Sequence, residues 1–140
     1  MSRTYEPKNK DAIGNWSSSP DFDVNASGAR ALGIISAVAG CNSKSIERRQ
    51  KDFCRDNGLK YGPDGHFYDP STRFSANKRE VLLHAAKIRS LLANDVRFDK
   101  VMQDLGRAGG LIAGGRLEAR KFASSWALFL ETCGGYEVQG

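Results

Sequence analysis

Asn77-Lys78-Arg79-Glu80-Val81-Leu82-Leu83-His84-Ala85-Ala86-Lys87-Ile88-Arg89-Ser90-Leu91-Leu92-Ala93 is the stretch that decides the fold class. Asn77 and Glu80 stand three apart, the spacing of a capping box in which side chain and backbone satisfy each other at a helix start. Val81, Leu82, Ala85, Ile88, Leu91 and Leu92 then recur at helical spacing and predict a broad apolar face through Ala93. His84 lies three residues from Val81 and four from Ile88, at the edge of that face.

The helical period continues on both sides. Downstream, Phe98, Val101, Met102 and Leu105 predict a helix over 95–105 that Gly106 ends. A glycine-rich connection over 107–115 leads into a last helix over 116–133. That helix is expected to bury Leu117, Phe122, Trp126, Phe129, Leu130 and Cys133, with Gly134-Gly135 as its stop. Upstream, Ser27 is placed to cap a helix ending at Ala39 and Gly40. Leu32, Ile35 and Val38 form one stripe on it, and Ala29, Gly33 and Ala37 a second of small residues. A further helix over 43–56 has a narrow apolar face of Ile46, Phe53 and Cys54, and Asn57-Gly58 stops it.

Between these elements, two short aromatic runs flank Gly62-Pro63-Asp64-Gly65. Proline presets one φ there and glycine supplies a positive one, so the spacing predicts a small β-hairpin over 59–68. The fold expected is mainly α: a single compact domain of about five helices, one small hairpin and little other strand, spanning 27–140. Residues 1–26 show neither period. They hold Pro7, Gly14, Pro20 and three consecutive serines, and predict an irregular, extended polar arm. Trp16 and Phe22 are its candidate anchors, on the chain's own domain or on a neighbouring copy.

The chain has 140 residues, enough for one domain with a core that needs no disulfide or metal staple. Hydrophobic residues at 40% and charged residues at 26% exclude a disordered chain. The longest apolar run, 29–40, is interrupted by Arg30 and is too short to cross a bilayer, so no membrane partner is expected. The N-terminus lacks an apolar leader stretch, and three widely spaced cysteines, Cys41, Cys54 and Cys133, do not suggest a disulfide framework. Reduced thiols in a cytoplasmic setting are expected, a host cytoplasm if the chain is phage-encoded. Short, basic, motif-free single domains are common among phage and mobile-element products, an analogy of type that no residue carries.

The net charge of +5 favours acidic partners. Its distribution is uneven. Residues 43–60 carry six Lys/Arg against three acids, 73–100 seven against three, and 107–121 four against one, whereas 122–140 hold only Glu131 and Glu137. Such asymmetry suits a basic helical face that meets phosphates. Lys44, Arg48, Arg49, Lys51, Arg55, Lys60, Arg73, Arg116 and Arg120 are the candidate contacts, the partner being nucleic acid or an acidic surface of a nucleic-acid-handling protein. The bland counterpart is a set of amphipathic helices with solvated basic faces.

Other constellations are weaker. Glycines 109–115 ahead of a helix resemble a phosphate cradle, but the Lys-Ser/Thr of a P-loop and a leading strand are missing. His66 near Asp64 and Asp69 permits a general base in a small nuclease-like enzyme, with no second catalytic group to name. Cys41, Cys54, His66 and His84 lack the close pairs of a zinc site, so no metal, cofactor or catalytic residue is assigned. The function expected is a non-enzymatic accessory protein. The alternative is a self-assembling structural subunit, a homo-oligomer such as a phage or virion component, with its arm packed on a neighbour.

Overall fold

The computed structural model describes residues 3–15, 19–41, 48, 51–52, 55–56, 58, 75–107 and 114–139. Among them, in chain order, are β1 (Arg3–Pro7), β2 (Phe22–Val24), α1 (Ala26–Ala39), β3 (Ser75–Asn77), α2 (Lys78–Leu92), α3 (Asp95–Arg107), α4 (Gly115–Thr132) and β4 (Gly135–Gln139). The molecule is mainly helical. The helix expected over 43–56 lies largely outside the described residues, although 48, 51–52 and 55–56 are helical. The hairpin expected over 59–68 and the glycine connection over 108–113 also lie outside them.

The strands correct two expectations. The four form one antiparallel sheet in the order β2-β1-β4-β3, more sheet than one minor hairpin. The N-terminal residues are not an irregular arm, because β1 lies between β2 and β4. The chain ends its last helix ahead of Gly134-Gly135, as expected. Gly134 and Gly135 adopt φ of 67° and 108° and swing it back as β4. A side chain at Gly135 would meet the Ala76 carbonyl at 2.8 Å, so the turn that launches β4 also needs glycine for the close approach of β3.

Alternation fixes the sheet's faces. Tyr5, Phe22, Val24, Tyr136, Val138 and Ala76 are buried, with Tyr5 in register with Phe22 on one side and Val138 on the other. Trp126 and Phe129 of α4 meet them. The Tyr5 and Phe22 rings lie 4.7 and 4.9 Å from Trp126, edge to face, and Phe22 lies 5.5 Å from Phe129. Such pairs add stabilisation beyond their apolar burial. Thr4, Glu6, Asp23 and Glu137 alternate with the buried set, and Glu6 stands directly opposite Glu137.

The helices follow the sequence with local corrections. The Asn77–Glu80 capping box is complete, at 2.9 and 3.0 Å, and α2 ends at Ala93. Gly40 caps α1. At the other end of α1 the cap is Asn25 rather than Ser27: Asn25 has extended backbone and accepts from the Gly28 N–H at 2.8 Å, while Ser27 is already inside the first turn. Helix α3 passes through Gly106 to Arg107, since one exposed glycine lowers helix stability by only about 1 kcal/mol. Leu117 is 63% exposed, not core, because Ala119, Ala123, Trp126, Ala127 and Leu130 define the inner face of α4 and Leu117 falls on the other side. Leu82 is 44% exposed for the same geometric reason: Val81, His84, Ala85, Ile88 and Leu91 face inward on α2.

Candidate nucleic-acid interface

Helix α1 has no basic residue in its last turn, yet its C-terminal carbonyls face cations. Lys87 of α2 donates from Nζ to the Gly40 carbonyl at 2.8 Å, and Arg97 of α3 donates from Nη2 to the Val38 carbonyl at 3.0 Å. Unsatisfied carbonyls give a helix C-terminus partial negative charge, which draws both side chains there. Lys100 follows Arg97 by one turn. Together with Ala37, Val38 and Asp104 these two line a shallow open hollow of about 390 Å³. Lys100 is paired with Asp104 at 2.9 Å and its side chain remains about half exposed.

Cys41 is buried at the end of α1, and the basic stretch 43–60 begins two residues later. Arg48, Lys51 and Arg55 are exposed. Arg55 approaches Asp52 at 3.5 Å and Asp56 at 3.3 Å, pairs so open to solvent that they hold it weakly. Lys44, Arg49, Lys60 and Arg73 lie outside the described residues.

Arg116 and Arg120 sit elsewhere and serve the fold. Arg116 bonds the Asp99 carboxylate and donates to the Asp95 carbonyl at 2.7 Å. Arg120 donates to the Leu92 carbonyl at 2.7 Å and to the Asp95 carboxylate at 3.2 Å. Both guanidinium groups stand over the buried Phe98 ring, 5.4 and 5.3 Å from its centroid. They tie α4 to the junction of α2 and α3. Of the two arm anchors, Phe22 is 1% exposed within the chain's own core, and Trp16 lies outside the described residues.

The titratable groups of the core are not poised for chemistry. His84 is buried, and its Nε2 has no hydrogen-bond partner among the described residues. Its pKa is lowered from 6.5 to about 4, chiefly by burial; the Glu80 charge opposes the shift and the Lys87 charge adds to it. Burial also pushes the Cys41 thiol up to about 12, and that thiol approaches the His84 carbonyl at 3.6 Å. Cys133 is raised by burial too. Neither thiol is a nucleophile near neutral pH. His66 lies outside the described residues. Among the described residues no three His, Cys, Asp or Glu side chains gather as a metal site, and no helix is long and apolar enough to cross a membrane.

In the sequence, Lys87, Arg97 and Lys100 stand out only as part of the surplus of 73–100. Their convergence depends on α2 and α3 both crossing the end of α1, which no local spacing reveals. No family model matches the chain, nor does any curated protein or solved structure.

Proposed function

We propose that the chain is a non-enzymatic accessory protein that binds nucleic acid through the basic surface at the C-terminal end of α1. One observation carries this reading: Lys87, Arg97 and Lys100, from two different helices, converge where the basic stretch 43–60 departs. A local surplus of positive charge attracts a phosphate backbone, and the counterions it releases drive association. The carboxylates of Glu6, Asp23 and Glu137 belong to the sheet, and Asp104 is the carboxylate that lines the hollow with Arg97 and Lys100. With Lys87 beside them, the cations at this end of α1 outnumber that carboxylate three to one, which leaves a local positive surplus.

Binding of labelled duplex and single-stranded DNA to the double variant Arg48→Glu, Lys100→Glu tests the reading. Removing one cation–phosphate pair should flatten the slope of log K against log salt by about 0.9 for a duplex or 0.7 for a single strand. The weakening should be nearly independent of base sequence, because phosphate contacts position the protein without specifying bases. Full affinity at low salt in the double variant overturns the reading. Loss of an acidic protein partner, with no nucleic-acid binding in the parent chain, moves the same surface to the acidic-partner alternative. A self-assembling subunit held by its arm is less well supported, since Phe22 is already committed inside its own chain.

A further inference from the structure

The solvent face of α2 is not built like a solvent face. Arg79, Leu82, Leu83, Ala86, Ser90 and Ala93 are all exposed and share one side of the helix. Leu82 and Leu83 are 44% and 48% exposed. A surface helix ordinarily presents charge opposite its core stripe. Here no charged residue occupies that side beyond Arg79. Of the cations that flank it, two are turned away: Lys87 reaches the Gly40 carbonyl at 2.8 Å, and Arg89 holds Glu131 at 2.7 Å and Ser124 at 3.1 Å. Helix α2 therefore has an apolar inner face and a neutral outer face with bulk at one end and small residues at the other.

We infer that this outer face pairs with the same face of a second copy, the two α2 helices running antiparallel about a two-fold axis at Ala86. The stripe is self-complementary in that direction. With Ala86 on the axis, Leu82 lies opposite Ser90 and Arg79 opposite Ala93, so the leucine half of each helix meets the small-residue half of the other. Charge agrees with size. Each α2 begins with Lys78 and Arg79, cations at the positive end of the helix dipole, and ends in neutral Ala93 and Asn94. Antiparallel pairing brings those cations toward the other copy's C-terminal turn, where Arg120 takes the Leu92 carbonyl and the exposed Asp95 carboxylate follows. Parallel pairing would set Arg79 against Arg79. The helix is about 22 Å long, so the pair falls short of the roughly 1,600 Å² of a standard stable interface. The dimer is accordingly weak and concentration-dependent.

Sedimentation velocity of the full chain, free of nucleic acid and over a concentration series, reads this directly. The parent chain should pass from monomer to dimer as concentration rises. Leu83→Glu should remain monomeric with unchanged circular dichroism and thermal midpoint. Should Leu83→Glu fail to fold, Ala86→Lys at the fully external centre of the stripe gives the same reading. Orientation is set by cross-linking in a Cys54→Ser background: Ala86→Cys should link to itself, Leu82→Cys should link to Ser90→Cys, and Arg79→Cys should not self-link. A chain that stays monomeric throughout overturns the inference. So does a dimer indifferent to both Leu83→Glu and Ala86→Lys, self-linking through Arg79→Cys in preference to Ala86→Cys, or a monomer that loses a different partner on Leu83→Glu.

Discussion

The sheet end and the α1 end of this molecule treat their side chains in opposite ways. At the sheet, Tyr5, Phe22, Trp126, Phe129 and Tyr136 are turned against one another and almost wholly removed from water. At the end of α1, Lys87, Arg97 and Lys100 rest on carbonyls or on one carboxylate, and Arg97 and Lys100 line a hollow open to solvent. The contrast teaches where energy and function reside. Burying aromatic area supplies stability and leaves nothing for a partner. Cations resting on a helix terminus contribute little stability and keep their charge available.

The harshest way to break the comparison is to remove the first 24 residues. Because β1 is a central strand, its removal uncovers Trp126 and Val138 and leaves β4 without one of its two neighbours. The truncated chain should lose its cooperative transition in near-ultraviolet circular dichroism and urea melts. Retention of a sharp, parent-like transition would show that the sheet only decorates a self-sufficient helical core. Phe22→Ala is the milder version. It creates a cavity between Trp126 and Phe129 and should cost about 3–5 kcal/mol in urea unfolding. A loss below about 1 kcal/mol would mean that the site collapses without cost.

His84, whose carbonyl meets the Cys41 thiol at the end of α1, supplies the next effect. Its folded pKa is lowered from 6.5 to about 4 by burial, so the folded state requires the neutral ring. The linked stability is fully present above pH 6.5 and is lost as pH falls from 6.5 toward 4, where the folded state begins to bind the same proton. The total is roughly 3 kcal/mol at 1.36 kcal/mol per pKa unit. Carboxylates also titrate near the lower bound, so the measurement is the difference in urea midpoint between parent and His84→Leu at pH 7 and pH 4.5. The variant should lose less stability on acidification, and parallel losses in the two chains would show that the ring is hydrated.

How much of this was legible follows from the length of each signal. Helix α2 announced itself by a capping box and four turns of spacing, and α4 by its aromatics. The sheet did not, although Tyr136-Glu137-Val138-Gln139 alternates cleanly. Its strands are three to five residues long, and two of them lie at opposite ends of the chain. A strand that short gains its stability from neighbours more than a hundred residues away, as in Tyr5 with Val138, so local pattern underdetermines it. The basic site was legible as a charge surplus but not as a place. Arg116 and Arg120 counted in that surplus on equal terms with Lys100, and only packing separates cations consumed by Asp95, Asp99 and Phe98 from those left open.

The smallest expected effect sharpens the comparison most. Lys100→Glu and Arg48→Glu change the charge of exposed side chains. Lys100 does pair with Asp104 in α3, one turn along, and reversing it sets two acids at that spacing; exposed pairs of this kind are weak in either sign. Each single variant should therefore unfold at the parent's urea midpoint within error at moderate salt. Arg120→Ala is the internal contrast, because it strips the Leu92 carbonyl and the Phe98 ring of a partly buried partner and should unfold earlier than either. If Lys100→Glu proves as damaging as Arg120→Ala, the cations at the end of α1 are part of the scaffold, and the division between a stability end and a binding end fails. If the order holds, any drop in nucleic-acid affinity in the Lys100 and Arg48 variants reflects the reversed charge at the phosphate and not a weakened fold.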